Sequence, residues 1–158
     1  MHSEFDYQII KLSADFYKAY NHKKYPEILL KHGRSYNCLL IESHYGYYIC
    51  IPYRTNIHHN NAFLFKNTSR SKQFHSGLDY TKIIIVNNKN YLESKSSIID
   101  KDEFLKTKRY IHSIKNGALL YVDRYVAHCN GTSVLNKKEF DRNYGMSTLQ
   151  YFHKELGI

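Results

Sequence analysis

The chain is 158 residues long, 42% hydrophobic and 23% charged, with 23 Lys and Arg against 14 Asp and Glu; its formal charge is +9, and ten His can add to it beside a polyanion. That length is one domain's worth, spanning 1–158, with enough chain to bury a core, and the basic balance favours a phosphate-rich partner, although a basic surface that only aids solubility fits it too. No apolar run reaches membrane-spanning length, and the start, MHSEFDYQIIKLS, is polar where a signal peptide needs a basic and then an apolar stretch, which argues against a membrane and for the cytoplasm.

In chain order, YQIIKL at 7–12 is the first strand candidate, and Ser13 then caps a short helix over ADFYKAY that ends before Pro26. SYNCLLIES and YGYYICIPY are apolar runs separated by Ser43, His44, Tyr45 and Gly46, the pattern of an antiparallel hairpin. AFLFKN at 62–67 is a third strand candidate, and NTSRSKQFHSG reads as a polar loop. TKIIIVNN at 81–88 carries the densest β-branched run and reads as a central strand. Beyond it Phe104, Ile111, Ile114, Ala118, Tyr121, Val122 and Tyr125 recur at spacings of three, four and seven, the apolar face of one long helix from about Lys101 to His128. Lys101, Lys108, His112 and Lys115 fall on its other side, either as a solvated face or as a contact for nucleic acid. NKKEFDRNYG and MSTLQYFHKEL read as two short helices, the latter with an apolar stripe of Leu149, Phe152 and Leu156. Cys38, Cys50 and Cys129, odd in number and without CxxC spacing, read as buried thiols of a reducing compartment. Strands first and helices later predict an α+β fold with a curved antiparallel sheet. The sixteen Tyr and eight Phe supply rings on which bases stack, though most belong in the core.

The stretch PYRTNIHHNN, 52–61, gathers Arg54, Thr55, Asn56, His58, His59, Asn60 and Asn61 without one acidic residue. Adjacent side chains of an extended segment point to opposite faces, so His58 and His59 rarely reach one ion, and no HExxH or Cys-His grouping accompanies them; no metal is expected. GxxxxGK[ST], GxGxxG and GxSxG are all lacking, so no nucleotide cofactor and no serine hydrolase is expected. The residue types do suit metal-free RNA cleavage. There a base takes the 2′-OH proton, an acid protonates the departing 5′ oxygen, and fixed donors stabilise the charge gathering on the phosphoryl oxygens. Histidine transfers protons near neutral pH and arginine grips phosphate with a planar fork. DNA lacks the 2′-OH and is not a substrate for this route. A polar loop whose Asn and His residues only satisfy backbone groups fits the same stretch.

PYRTNIHHN, then FKNTSR, then SGLDYTKIIIV, in this order and spacing, resemble the type III toxin-antitoxin endoribonuclease toxins, and are most similar to the CptN/TenpN branch of the ToxN/AbiQ superfamily. The similarity runs through most of the chain, from FYKAY and KYPEI to the long helix, and is strongest between Arg34 and Val86. The resemblance implies a compact, twisted antiparallel sheet flanked by helices, and an RNase that cuts without metal. It further implies inhibition by a small repetitive RNA folded as a pseudoknot, processing of that antitoxin's precursor, closed protein-RNA hetero-oligomers and a part in phage resistance. In the ToxN members a lysine at the start of the second strand and a Thr-Ser pair after the proline ending the third form the active site. The matching positions here are Arg34 and the pair Arg54 and Thr55 after Pro52. That is a departure, because an arginine effectively never gives up its proton.

The expected catalytic set is therefore Arg34, Arg54, Thr55, His59 and His58, with Thr55 and a neighbouring histidine at the attacking oxygen and the arginines on the phosphoryl oxygens. Asn56, Asn60, Ser69, Arg70, Lys72, Lys82, Lys108, His112 and Lys115 are expected to hold RNA, and Asp79 to be a structural acceptor rather than a base. A surface ion pair for Arg34 and a solvated strand position for Lys82 are the plainer readings. The expected reaction cuts single-stranded cellular RNA to 2′,3′-cyclic phosphate and 5′-hydroxyl ends. A non-catalytic RNA-binding module, and a partner-binding domain whose basic surface is incidental, are the alternatives.

Overall fold

The computed structural model describes residues 7–31, 33–43 and 45–158; His44, which the sequence reading places in the hairpin turn, lies outside them. β1 (Tyr7–Lys11), β2 (Asn37–Glu42) and β3 (Tyr48–Arg54) pair antiparallel, with Ile9 opposite Leu39 and Leu39 opposite Ile51. The other edge of β3 carries two short strands in succession. β6 (Ile84–Val86) lies beside its first half, and β5 (Gly77–Asp79) lies beside its end, where Arg54 is opposite Gly77. β4 (Ala62–Leu64) pairs outside β5. Among the described residues this makes one six-stranded antiparallel sheet in an α+β arrangement.

TKIIIVNN is therefore not the long central strand its composition predicts. Asp79 accepts from the Thr81 N–H at 2.9 Å and from the Thr81 hydroxyl at 2.6 Å, which winds Tyr80–Lys82 into a 3-10 turn. A short side chain that offers the backbone an alternative partner diverts it from the ladder. Only Ile84–Val86 remain as strand, and Lys82 is buried in the turn rather than solvated on a strand.

Alternation along β3 decides what faces what. Tyr53 points toward α3 (Lys101–Arg109), its hydroxyl 2.9 Å from the Thr107 hydroxyl. Arg54, next in the chain, points to the opposite side. There α1 (Ala14–Ala19) packs Phe16 against Tyr20, and Tyr20 against Phe152. Ser13 caps α1, accepting from the Phe16 N–H at 3.4 Å, a contact worth about 1 kcal/mol.

The helix expected from Lys101 to His128 breaks at Tyr110 into α3 and α4 (Ile111–Cys129). Past the break Ile114, Ala118, Tyr121, Val122 and Tyr125 are buried as the periodicity predicts. Before it the phase changes, so that α3 buries Glu103 and Thr107 and leaves Phe104 42% exposed. The polar loop after β4 contains a single turn of helix, α2 (Ser71–Phe74). α5 (Lys137–Tyr144), capped by Asn136, is followed by a 3-10 turn at Thr148–Tyr151 and then α6 (His153–Leu156). Leu149 and Phe152 are fully buried and Leu156 packs against the core beside them. Cys38 and Cys50 are buried thiols, while Cys129, at the last turn of α4, is exposed, against the sequence reading.

Candidate active site

At the end of β3 the chain brings two of its motif segments together. Asp79, with no exposed surface, accepts from Arg54 Nη1 at 2.9 Å through one carboxylate oxygen. Its other oxygen takes both Thr81 donors and lies 3.2 Å from His59 Nε2. A carboxylate can be withdrawn from water only with such compensation, so Asp79 is the structural acceptor expected of it. His59 Nδ1 accepts from the Asn61 N–H at 3.1 Å, which leaves the ring proton on Nε2, buried and directed to Asp79 off the line of a good hydrogen bond. Of the two nitrogens of His59, Nδ1 is therefore engaged by the protein itself and Nε2 is shut away from the cleft's solvent without an aligned partner.

These groups open on a cleft of about 560 Å³, within the range of roughly 300–1,000 Å³ typical of small-molecule sites. Arg54, His59 and Asn61 line it from the end of β3 and the segment that follows, Thr81 and Lys82 from the turn after β5, His22, Glu27 and Leu29 from the loop after α1, and Arg142 and Asn143 from α5. Lys82 Nζ donates to Glu27 Oε1 at 2.6 Å and to the Met146 carbonyl at 3.0 Å, so two of its three N–H groups are committed. Each of these two cations thus has a carboxylate partner. Asp141 on the rim is engaged by Lys137 at 2.6 Å, leaving Arg142 beside it. Among the described residues no group of three or more His, Cys, Asp or Glu is arranged to hold a metal ion.

Of the five residues expected to be catalytic, Arg54 and His59 line the cleft. Thr55 follows β3 in a bend, because the strand ends at Arg54. Arg34 is exposed in a tight turn whose backbone bridges Lys31. His58 turns the other way from His59 and lies 5.2 Å, ring centre to ring centre, from His75. Sequence reasoning missed His22 and Glu27. His22 Nδ1 is 3.1 Å from the Ile28 carbonyl, and a lone histidine in NHKKYPE whose partner is a backbone group leaves no mark in the sequence.

The expected RNA-holding residues divide likewise. Lys82 is in the cleft. Asn56, at φ 59°, donates its N–H to the Phe74 carbonyl, with its side chain exposed. Asn60 borders an adjoining depression with Tyr121 and Arg124, which shares Asn61 and Asn143 with the cleft. Ser69 donates to Asp102 Oδ2 through its N–H at 2.7 Å and its hydroxyl at 3.1 Å, and Arg70 Nη1 lies 3.7 Å from Glu103 Oε1, so both are tied to α3. Lys72 is exposed on α2. Lys108, His112 and Lys115 meet Lys101 and Arg109 around a second groove of about 810 Å³, formed by β1, residues 96–99 and the α3–α4 junction. Ile98, 90% exposed, with Phe104 and Ile111, gives that groove an apolar surface, and among the described residues no carboxylate lines it. Among the described residues, cleft and groove share no lining residue.

Compared with protein-family models, with curated proteins and with solved structures, the chain matches none.

Proposed function

We propose that the protein is an endoribonuclease of the type III toxin kind. It cuts single-stranded RNA by attack of the 2′-OH on the adjacent phosphorus, and a repetitive pseudoknot RNA holds it in check. One observation carries the reading: PYRTNIHHN and SGLDYTK, the segments that carry the resemblance, converge on one cleft through Arg54, His59, Asp79, Thr81 and Lys82. Their cations are held in place by carboxylates before any substrate arrives, and fixed donors need no reorganisation when charge develops on a phosphoryl oxygen. Arg54 and Lys82 each retain N–H groups beyond those given to Asp79 and Glu27.

The cleft holds nearly balanced charge, so attraction for the RNA backbone falls to the second groove. Its five basic side chains stand, among the described lining residues, without a carboxylate. The groove positions the strand and the cleft acts on it. Labelled RNA incubated with the protein in excess EDTA tests this, the expected products being 2′,3′-cyclic phosphate and 5′-hydroxyl ends. A 5′-phosphate product, or cleavage that stops when metal is removed, rejects the chemistry. Tight, salt-sensitive binding without any cleavage supports the second reading, an RNA-binding module, which the burial of His59 Nε2 against Asp79 favours.

A further inference from the structure

Resting on the RNA-cleaving reading of the cleft, we infer that His22, and not His58 or His59, is the group that takes the proton from the attacking 2′-OH. A carbonyl oxygen only accepts, so at 3.1 Å from the Ile28 oxygen the Nδ1 of His22 must carry a hydrogen. In the neutral ring Nε2 then holds the lone pair. One hydrogen bond thus fixes the tautomer and orientation of an imidazole on the wall of the cleft, which is what a general base needs. His59 is fixed in the opposite sense: its lone pair is spent on the Asn61 N–H, and its Nε2 is buried against Asp79.

His22 comes from the loop after α1 and lines the same cleft as Arg54, which β3 supplies. Facing it on its own loop is Glu27, already engaged by Lys82. From β3 and the turn after β5 come Arg54 and Lys82, each held by its carboxylate, and from α5 come Asp141 and Arg142. In the step assigned here, O2′ bonds to phosphorus while its proton passes to Nε2 of His22. The bond from phosphorus to O5′ then breaks, O5′ takes a proton from water, and the hydroxide left behind takes the proton from Nε2 of His22, which returns the base to its neutral form. Arg54 and Lys82 stabilise the phosphoryl oxygens.

The test uses the full chain, labelled single-stranded RNA and excess EDTA. His22→Ala removes the base, and His22→Asn keeps a donor where Nδ1 sits and so preserves the bond to Ile28. Both variants are expected to lower kcat by about 10²–10⁴-fold, to leave affinity for a 2′-O-methyl RNA unchanged, and to lose the rising acid limb of kcat against pH. Added imidazole is expected to restore part of the His22→Ala rate. If wild type cleaves and His22→Asn keeps its rate and its acid limb, the assignment to His22 is overturned and the RNase reading stands. If wild type cleaves no RNA, both fall.

Discussion

Asp79 is fully buried, yet within reach of its carboxylate lie a guanidinium, an imidazole, a hydroxyl and a backbone N–H. Those contacts do three jobs at once: they end β5, wind the turn that carries Lys82, and hold Arg54 toward the cleft. Asp79→Asn sets an amide N–H against one of these donors and removes the charge that Arg54 faces. The expected loss is about 3 kcal/mol, the low end for breaking a buried pair, because Arg54 is 27% exposed and can turn to water. Urea unfolding reads this as a lowered midpoint with an unchanged slope, and RNA cleavage falls with it; an unchanged midpoint means that Arg54 and Asp79 contribute nothing net.

At the scale of elements, the segment between β4 and β5 is fastened to the start of α3 by two acidic residues of unlike character. Asp102 is on the surface, and the Ser69 N–H above all holds its carboxyl below the usual carboxylate range. Glu103 is buried, its oxygens have no aligned hydrogen-bond partner, and burial pushes its carboxyl up against the opposing pull of Arg70. The native state therefore holds the Glu103 proton to higher pH than the unfolded chain does. In the window just above the ordinary glutamate range this group makes stability fall as pH rises. Glu103→Gln removes the buried charge, so its Tm is expected to lie a few degrees above wild type at neutral pH, and the two melting curves to converge below about pH 4. A lower Tm for the variant at neutral pH instead shows that the ion pair with Arg70 outweighs the cost of burial.

Across the whole molecule, balanced charge sits in the cleft and unbalanced positive charge in the groove, and the two share no lining residue. A division of labour follows if RNA spans both. Truncating Lys108 and Lys115 to Ala together is expected to raise KM for a long RNA, leave kcat unchanged, and flatten the salt dependence of binding by about 0.7 per lost phosphate contact in a plot of log affinity against log salt. Arg54→Ala is expected to do the reverse, lowering kcat with little effect on the salt slope. A salt slope that the double substitution leaves untouched removes the groove from the RNA path.

The sequence by itself determined the α+β class, the hairpin of β2 and β3, the Ser13 cap, and the apolar face of α4 from Ile114 to Tyr125, and it singled out the donor-rich stretch after Pro52 of which Arg54, His59 and Asn61 line a cleft. Local rules suffice there, because pairing runs, caps and helical periodicity act between neighbours in the chain. Tertiary structure decided that only Ile84–Val86 of TKIIIVNN stay in the sheet, that the expected long helix breaks at Tyr110, and that Arg34, Thr55 and His58 do not line the cleft with Arg54. It also brought His22 and Glu27, distant in sequence from Lys82, to the same cleft. Those outcomes depend on where a strand ends, on which neighbour a carboxylate finds, and on which way successive side chains point, and none of these is settled until the backbone has been paired and packed.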